Sequence, residues 1–187
     1  GSVEKIIDEI GAIETDQALR YARDAARGLE YAEKQGIVHR DIKPANLMIA
    51  TSGAVKIGDL GIARNTDESG VAYQKDGVSG SPHYIAPEQA RGEAIDQRAD
   101  IYSLGATLFH CLAGRTPYRG AGAREVILKQ IEATAPPSLA SMSPGTPPEV
   151  CELVERMMAP KPEDRPQNAR ILGDELDQLI ATFGSRT

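Results

Sequence analysis

The chain has 187 residues, enough for one substantial core, with 41% hydrophobic and 26% charged residues. Its net charge of −6 argues against a nucleic-acid-binding surface as its main business. No apolar run approaches bilayer-spanning length and no secretory signal pattern is present, so membrane contact within this segment is not expected. Aromatic residues are scarce, with no Trp and two Phe, so the core must rest on Leu, Ile, Val, Ala and Met. Cys111 and Cys151 lie inside apolar helical patterns without metal-ligand spacing, which predicts buried, reduced thiols and a cytoplasmic setting.

Gly1-Ser2 reads as the scar of a cleaved tag and is set outside the fold. Val3, Ile6, Ile7 and Ile10 share one helical face, and Gly11 closes that segment. A second helix begins near Thr15, a candidate N-cap, and carries Leu19, Ala22, Ala26, Leu29 and Ala32 on one stripe before ending at Gly36. So many small residues on one face predict close packing against another helix.

Residues 37–49 follow, IVHRDIKPANLMI, a compact polar core between apolar flanks. The stretch predicts two short strands holding a charged loop. The spacing H-R-D-x-x-x-x-N is that of a phosphoryl-transfer site, in which an aspartate takes a hydroxyl proton and an asparagine five residues later holds a metal ion. Thr51 to Ala54 make a turn and Val55–Ile57 return as a strand, giving a small hairpin. A G-D-x-G turn comes next at 58–61, a weak signal alone. Residues 62–82 are polar and rich in Gly and Ser, which predicts a mobile surface loop.

A strong helix is expected to start after Asp96 and run through Ala113, stopped by Gly114 and apolar on most sides, hence the buried centre of a helical domain. An amphipathic helix over 123–134 leads to a Pro/Ser-rich connector at 135–145. Thr146-Pro147-Pro148-Glu149 has capping-box spacing and should open a helix bearing Val150, Leu153, Val154 and Met157. A Pro-bracketed turn at 161–166 precedes a last helix, 168–182, with Ile171, Leu172, Leu176, Leu179 and Ile180 on its apolar face. The fold class is mainly α: a helical bundle with one small β-hairpin beside the charged loop.

The order of these motifs carries a resemblance. HRDIKPAN at 39–46, GDLG at 58–61, GSPHYIAPEQARG at 80–92, DIYSLGATLFHCLAG at 100–114 and KPEDRP at 161–166 together resemble the C-terminal lobe of serine/threonine protein kinases of the bacterial eukaryotic-like branch. The resemblance spans essentially the whole chain, with a catalytic loop at 39–46 and an activation segment at 59–88.

It implies ATP and Mg²⁺ as cofactors and protein Ser/Thr hydroxyls as substrates. Asp41 would accept or orient the substrate hydroxyl, and Lys43 would neutralise charge on the transferred phosphoryl group. Asn46 and Asp59 would be the Mg²⁺ ligands, and Met48 the floor of the adenine pocket. Arg40 would pair with a phosphorylated activation-segment residue, for which Thr66, Ser69 and Ser79 are candidates. Ser81 matches a structural hydroxyl that meets the catalytic aspartate and lysine. Glu88 and Arg165 match an ion pair bracing the end of that segment, and Asp100 a carboxylate that receives backbone N–H groups of the catalytic loop. His39 matches a packed spine residue, and His83 and His110 read as surface and helix residues.

Two departures stand out. Leu60 replaces the family's usual Phe. The 38 residues before His39 read as two helices, without a G-x-G-x-x-G run, and Lys5 and Lys34 sit in helical contexts rather than on a strand. The expectation is therefore an isolated lobe whose N-lobe is absent, inactive alone and prone to self-association through the surface around residues 47–49 and 57–62. Membrane anchorage of the full-length protein fits the same branch. A pseudokinase-like interaction module is the alternative, and a small-molecule phosphotransferase a third reading. Lys43 and the segment ending in Ala86-Pro87-Glu88 favour a protein substrate.

Overall fold

The computed structural model describes residues 1–58, 73–74, 77–78 and 82–183. Helix α1 (Val3–Ile10) and helix α2 (Thr15–Lys34) lead into the charged loop, followed by the hairpin of β1 (Leu47–Ile49) and β2 (Val55–Ile57). A second two-residue pair, β3 (Tyr73–Gln74) and β4 (Gly77–Val78), comes next, then α3 (Pro87–Ala90) and α4 (Gln97–Ala113). Four more helices complete the chain: α5 (Ala123–Glu132), α6 (Leu139–Met142), α7 (Pro148–Met157) and α8 (Ala169–Phe183). Both strand pairs are antiparallel, and the first pairs Leu47 with Ile57 and Ile49 with Val55. The protein is mainly α, as its periodicities predict.

Helix α4 is the axis of the molecule. Thirteen of its residues are buried, from Ala99 through Leu112, so it has almost no solvent face. It starts where Asp96 accepts the Arg98 N–H and stops where Gly114 turns left-handed at φ 64°. Helix α2 packs on it and on α8 through the Leu19, Ala22, Ala26 and Leu29 stripe, and α7 lies along its other side. At Gly105 the α4 backbone meets α7: a Cβ there would lie 2.7 Å from Met157 Cβ. Burial of a side chain the size of Leu or Met contributes about 1.5–3 kcal/mol, and Leu104, Leu108, Phe109, Leu153 and Met157 are all essentially inaccessible. Cys111 and Cys151 are buried and free.

Several expectations are corrected. Gly1 and Ser2 belong to the fold: Ser2 Oγ caps α1 and the residue bridges Met48, while the Gly1 carbonyl accepts the Ile49 N–H at 2.9 Å. Residues 37–38 form no strand, so only the C-terminal flank of the charged loop is in a hairpin. Thr15 is the first helical residue rather than the cap, and Glu14 holds the cap position without a side-chain bond. The capping box at 146–149 does not form. Pro148 disfavours helical geometry at the residue before it, so Pro147 becomes the N-cap and the Thr146 hydroxyl turns back to Ser143. The connector at 135–145 holds the short helix α6, capped by Ser138. Ile171 is 43% exposed, because the stripe through Ala169, Leu172, Leu176 and Ile180 claims the buried face of α8. Leu47 is fully buried rather than uncovered.

Asp59, Leu60, Thr66, Ser69, Ser79 and Ser81, together with the mobile loop expected over most of 62–82, lie outside the described residues.

Candidate active site

The charged loop is shaped from beneath by one carboxylate. Asp100, in the first turns of α4 and buried, accepts the His39 N–H at 2.7 Å and the Arg40 N–H at 2.8 Å. Burial pushes its carboxyl above the usual carboxylate range, and the two backbone N–H groups pull against that shift. The loop thereby holds Arg40 at φ 69°, the left-handed region, where a side chain costs about 1–2 kcal/mol. Arg40 itself is exposed.

His39 completes the turn from inside. The Asp41 N–H donates to Nδ1 at 3.3 Å, so Nε2 carries the ring proton and donates to the Gly58 carbonyl at 3.1 Å. The ring links the loop to the end of the hairpin and is spent on two backbone groups. Pro44 opens a single 3-10 turn whose third residue, Asn46, bonds back to the Lys43 carbonyl, while the Asn46 carbonyl accepts the Gly58 N–H at 2.7 Å.

These constraints bring three polar side chains together. Lys43 Nζ lies 3.0 Å from Asp41 Oδ2, and Asn46 Nδ2 donates to the same oxygen at 3.1 Å and to the Asp41 carbonyl at 2.8 Å. Asp41 and Lys43 are each about one-fifth exposed along their side chains. Among the described residues neither Asp41 Oδ1 nor Asn46 Oδ1 has a protein partner. Met48 lies on the outer face of the hairpin beside Gly58, 44% exposed.

The segment that ends in α3 is anchored from below. Arg165 meets Glu88 in a buried, two-pronged pair at 2.7 and 2.9 Å. Its remaining donors reach the carbonyls of Ala159, Pro160 and Arg98, and its guanidinium stands 5.0 Å from the centre of the Tyr102 ring. All five N–H groups are therefore used.

Two contacts here had no sequence signal. Gln89 Nε2 donates to the Arg40 carbonyl at 3.2 Å, joining α3 to the loop across 49 residues. The Tyr84 hydroxyl bonds His110 Nδ1 at 2.7 Å, with the two rings stacked 6.1 Å apart. Burial, then the nearby His83, holds the His110 imidazole below its usual range, and burial pushes the Tyr84 hydroxyl up.

Comparison with known proteins agrees with this architecture. The protein kinase domain family matches residues 1–176. A protein named "Probable serine/threonine-protein kinase CA_C1728" from Clostridium acetobutylicum is 38% identical over 95% of this chain and 27% of its own length. The serine/threonine-protein kinase PknB of Mycobacterium leprae is 37% identical over 90% of this chain and 27% of its own. That of Mycobacterium tuberculosis is 36% identical over the same shares. The chain spans about a quarter of the length of the curated relatives it matches. With a family match over nearly its whole length, the chain belongs to the protein kinase domain family.

Proposed function

We propose that this chain carries the lower half of the active site of an ATP- and Mg²⁺-dependent serine/threonine kinase. The full-length protein would move the γ-phosphoryl group of ATP to Ser/Thr hydroxyls of proteins. One observation carries the reading: Lys43 and Asn46 converge on the same oxygen of Asp41. That oxygen is fixed by two donors, which leaves Oδ1 to accept a hydrogen bond from an incoming hydroxyl and orient it for attack. Lys43 stands beside the carboxylate, where its charge offsets negative charge building on the phosphoryl group.

The donor chemistry fits a hard cation. Asn46 spends its amide nitrogen on Asp41 and so presents a carbonyl oxygen, the ligand type that Mg²⁺ takes. Asn46 and Asp59 would hold the ion, which when bound neutralises the ATP phosphates. Met48 is assigned to the adenine, Arg40 to a phosphorylated residue of the activation segment, and Ser81 to Asp41 and Lys43.

Residues 1–38 form two helices and supply no strand lysine to grip the α- and β-phosphates. An N-terminal lobe would have to provide that half, so we place no turnover on this chain alone. Among the described residues no helix is long and apolar enough to cross a membrane; we assign the catalytic segment to the cytoplasm, with any membrane anchor elsewhere in the full-length protein. The exposed flank of Met48, with half-buried Ile49 and Ile57 beside it, is where we place self-association, a reading that light scattering tests.

The decisive assay is phosphate transfer from ATP by the full-length protein to a generic Ser/Thr peptide. Asp41→Asn keeps the shape and removes the carboxylate, and it should lower the rate by about 10²–10⁴. A wild-type protein that transfers no phosphate to itself or to peptide overturns the proposal.

A further inference from the structure

We propose that Gln89 is a positioning residue for Asp41, acting through the Arg40 carbonyl; the inference rests on the kinase reading of the loop. The peptide unit between Arg40 and Asp41 is what aims the Asp41 side chain. Its N–H is bound by His39 Nδ1, and its C=O by Gln89 Nε2. The preceding N–H, that of Arg40, is bound by Asp100. Arg40 is the one residue other than glycine with a positive φ among those described, so this peptide would relax toward ordinary backbone if released. His39 and Asp100 hold it from the core side. Among the described residues, Gln89 alone holds the carbonyl, from the side of α3.

The holder is itself held. Gln89 follows Glu88, whose carboxylate is locked to Arg165, so α3 is fixed to the turn before α8. Its amide has one productive orientation, since a carbonyl can only accept and Nε2 must therefore face Arg40. The opposite end, Oε1, is buried with no partner among the described residues. A buried acceptor left unpaired is unfavourable, and it persists here because the other end of the same amide makes the contact to the loop. A residue that served only to fill space would be better as Leu or Met. The contact makes the end of the activation segment part of the catalytic geometry, through one side chain.

The test compares Gln89→Met, which keeps length and loses the donor, with Gln89→Glu, which keeps shape and faces the carbonyl with an acceptor. In the full-length protein both should lower kcat about tenfold and leave the KM values for ATP and peptide within about twofold. In the 187-residue chain both should speed hydrogen exchange of the Asp41 amide at least about tenfold, with the core amides of α4 unchanged. A folded Q89M protein with wild-type kcat overturns the proposal. So does a matched loss of kcat and gain in KM accompanied by a lower melting temperature, which marks a purely structural role. If Q89M fails to fold, Q89E is judged by the same numbers, and failure of both to fold also overturns it. A wild-type protein without transferase activity sinks the kinase reading separately, and the exchange measurement still decides whether Gln89 holds the loop.

Discussion

Asp100 and Arg165 are charged groups removed from water, and each is tolerated because every oxygen or N–H it carries has work to do. His110 solves the same problem by staying neutral. Tyr84 donates to its Nδ1; burial disfavours the charged ring, His83 and Arg119 push the same way, and Asp8 pulls against them. A base whose folded pKa lies below its unfolded value of about 6.5 contributes stability that is complete above that pH and is lost as pH falls below it. The protein should therefore weaken between pH 7 and pH 5 in urea titrations. His110→Gln keeps an acceptor for Tyr84 and removes the titration, so its midpoint should fall less over that range. An equal fall in both proteins would remove His110 from the explanation. Nothing in the sequence announced this pair, because a hydroxyl and an imidazole 26 residues apart meet only once α4 is in place.

At the scale of elements, what periodicity could say was legible. The faces of α2 and α7 follow from spacing alone, since burial of one stripe dominates a helix of ordinary length; on α1 the same pattern buries Val3 and Ile7 but leaves Ile10 64% exposed, and α4 is buried nearly all round. The failures came where local chemistry competes. Ser2 looked like an appendage and is a cap; Thr146 looked like a cap, and Pro148 forbade it. Ile171 fitted the apolar pattern of α8 but sits one position off its buried stripe. Short pieces such as α3 and α6 have too few residues to show a period.

Gly105 is an element-scale feature that propensity misjudges. In the middle of a helix, Gly→Ala ordinarily gains about 1 kcal/mol. Here the added methyl would press on Met157 Cβ at 2.7 Å and Met158 Cγ at 3.0 Å. Gly105→Ala should thus destabilise by roughly 1–3 kcal/mol, as overpacking does. A raised urea midpoint would show that α7 can step aside.

Across the whole molecule, the Glu88–Arg165 pair joins α3 to the turn before α8, 77 residues apart. Arg165→Ala leaves the Glu88 carboxylate buried without its partner, and should cost about 3–5 kcal/mol in equilibrium unfolding. A loss under 1 kcal/mol would mean that water enters and solvates Glu88. The convergence of Asp41, Lys43 and Asn46 was legible by motif, because the three stand at fixed spacing within one loop. The braces were legible only by resemblance, and Gln89 not at all, since its bond is to a main-chain carbonyl and leaves no mark on residue choice at position 40.

The seat of Asp100 has one more consequence. It belongs to the most buried helix of the fold, and the loop above hangs from it by two backbone bonds. In the wild-type chain the loop should therefore lose its shape in the same thermal transition that opens the molecule's centre. Chemistry and fold should be lost on one curve, and graded warming should yield fewer working molecules rather than slower ones.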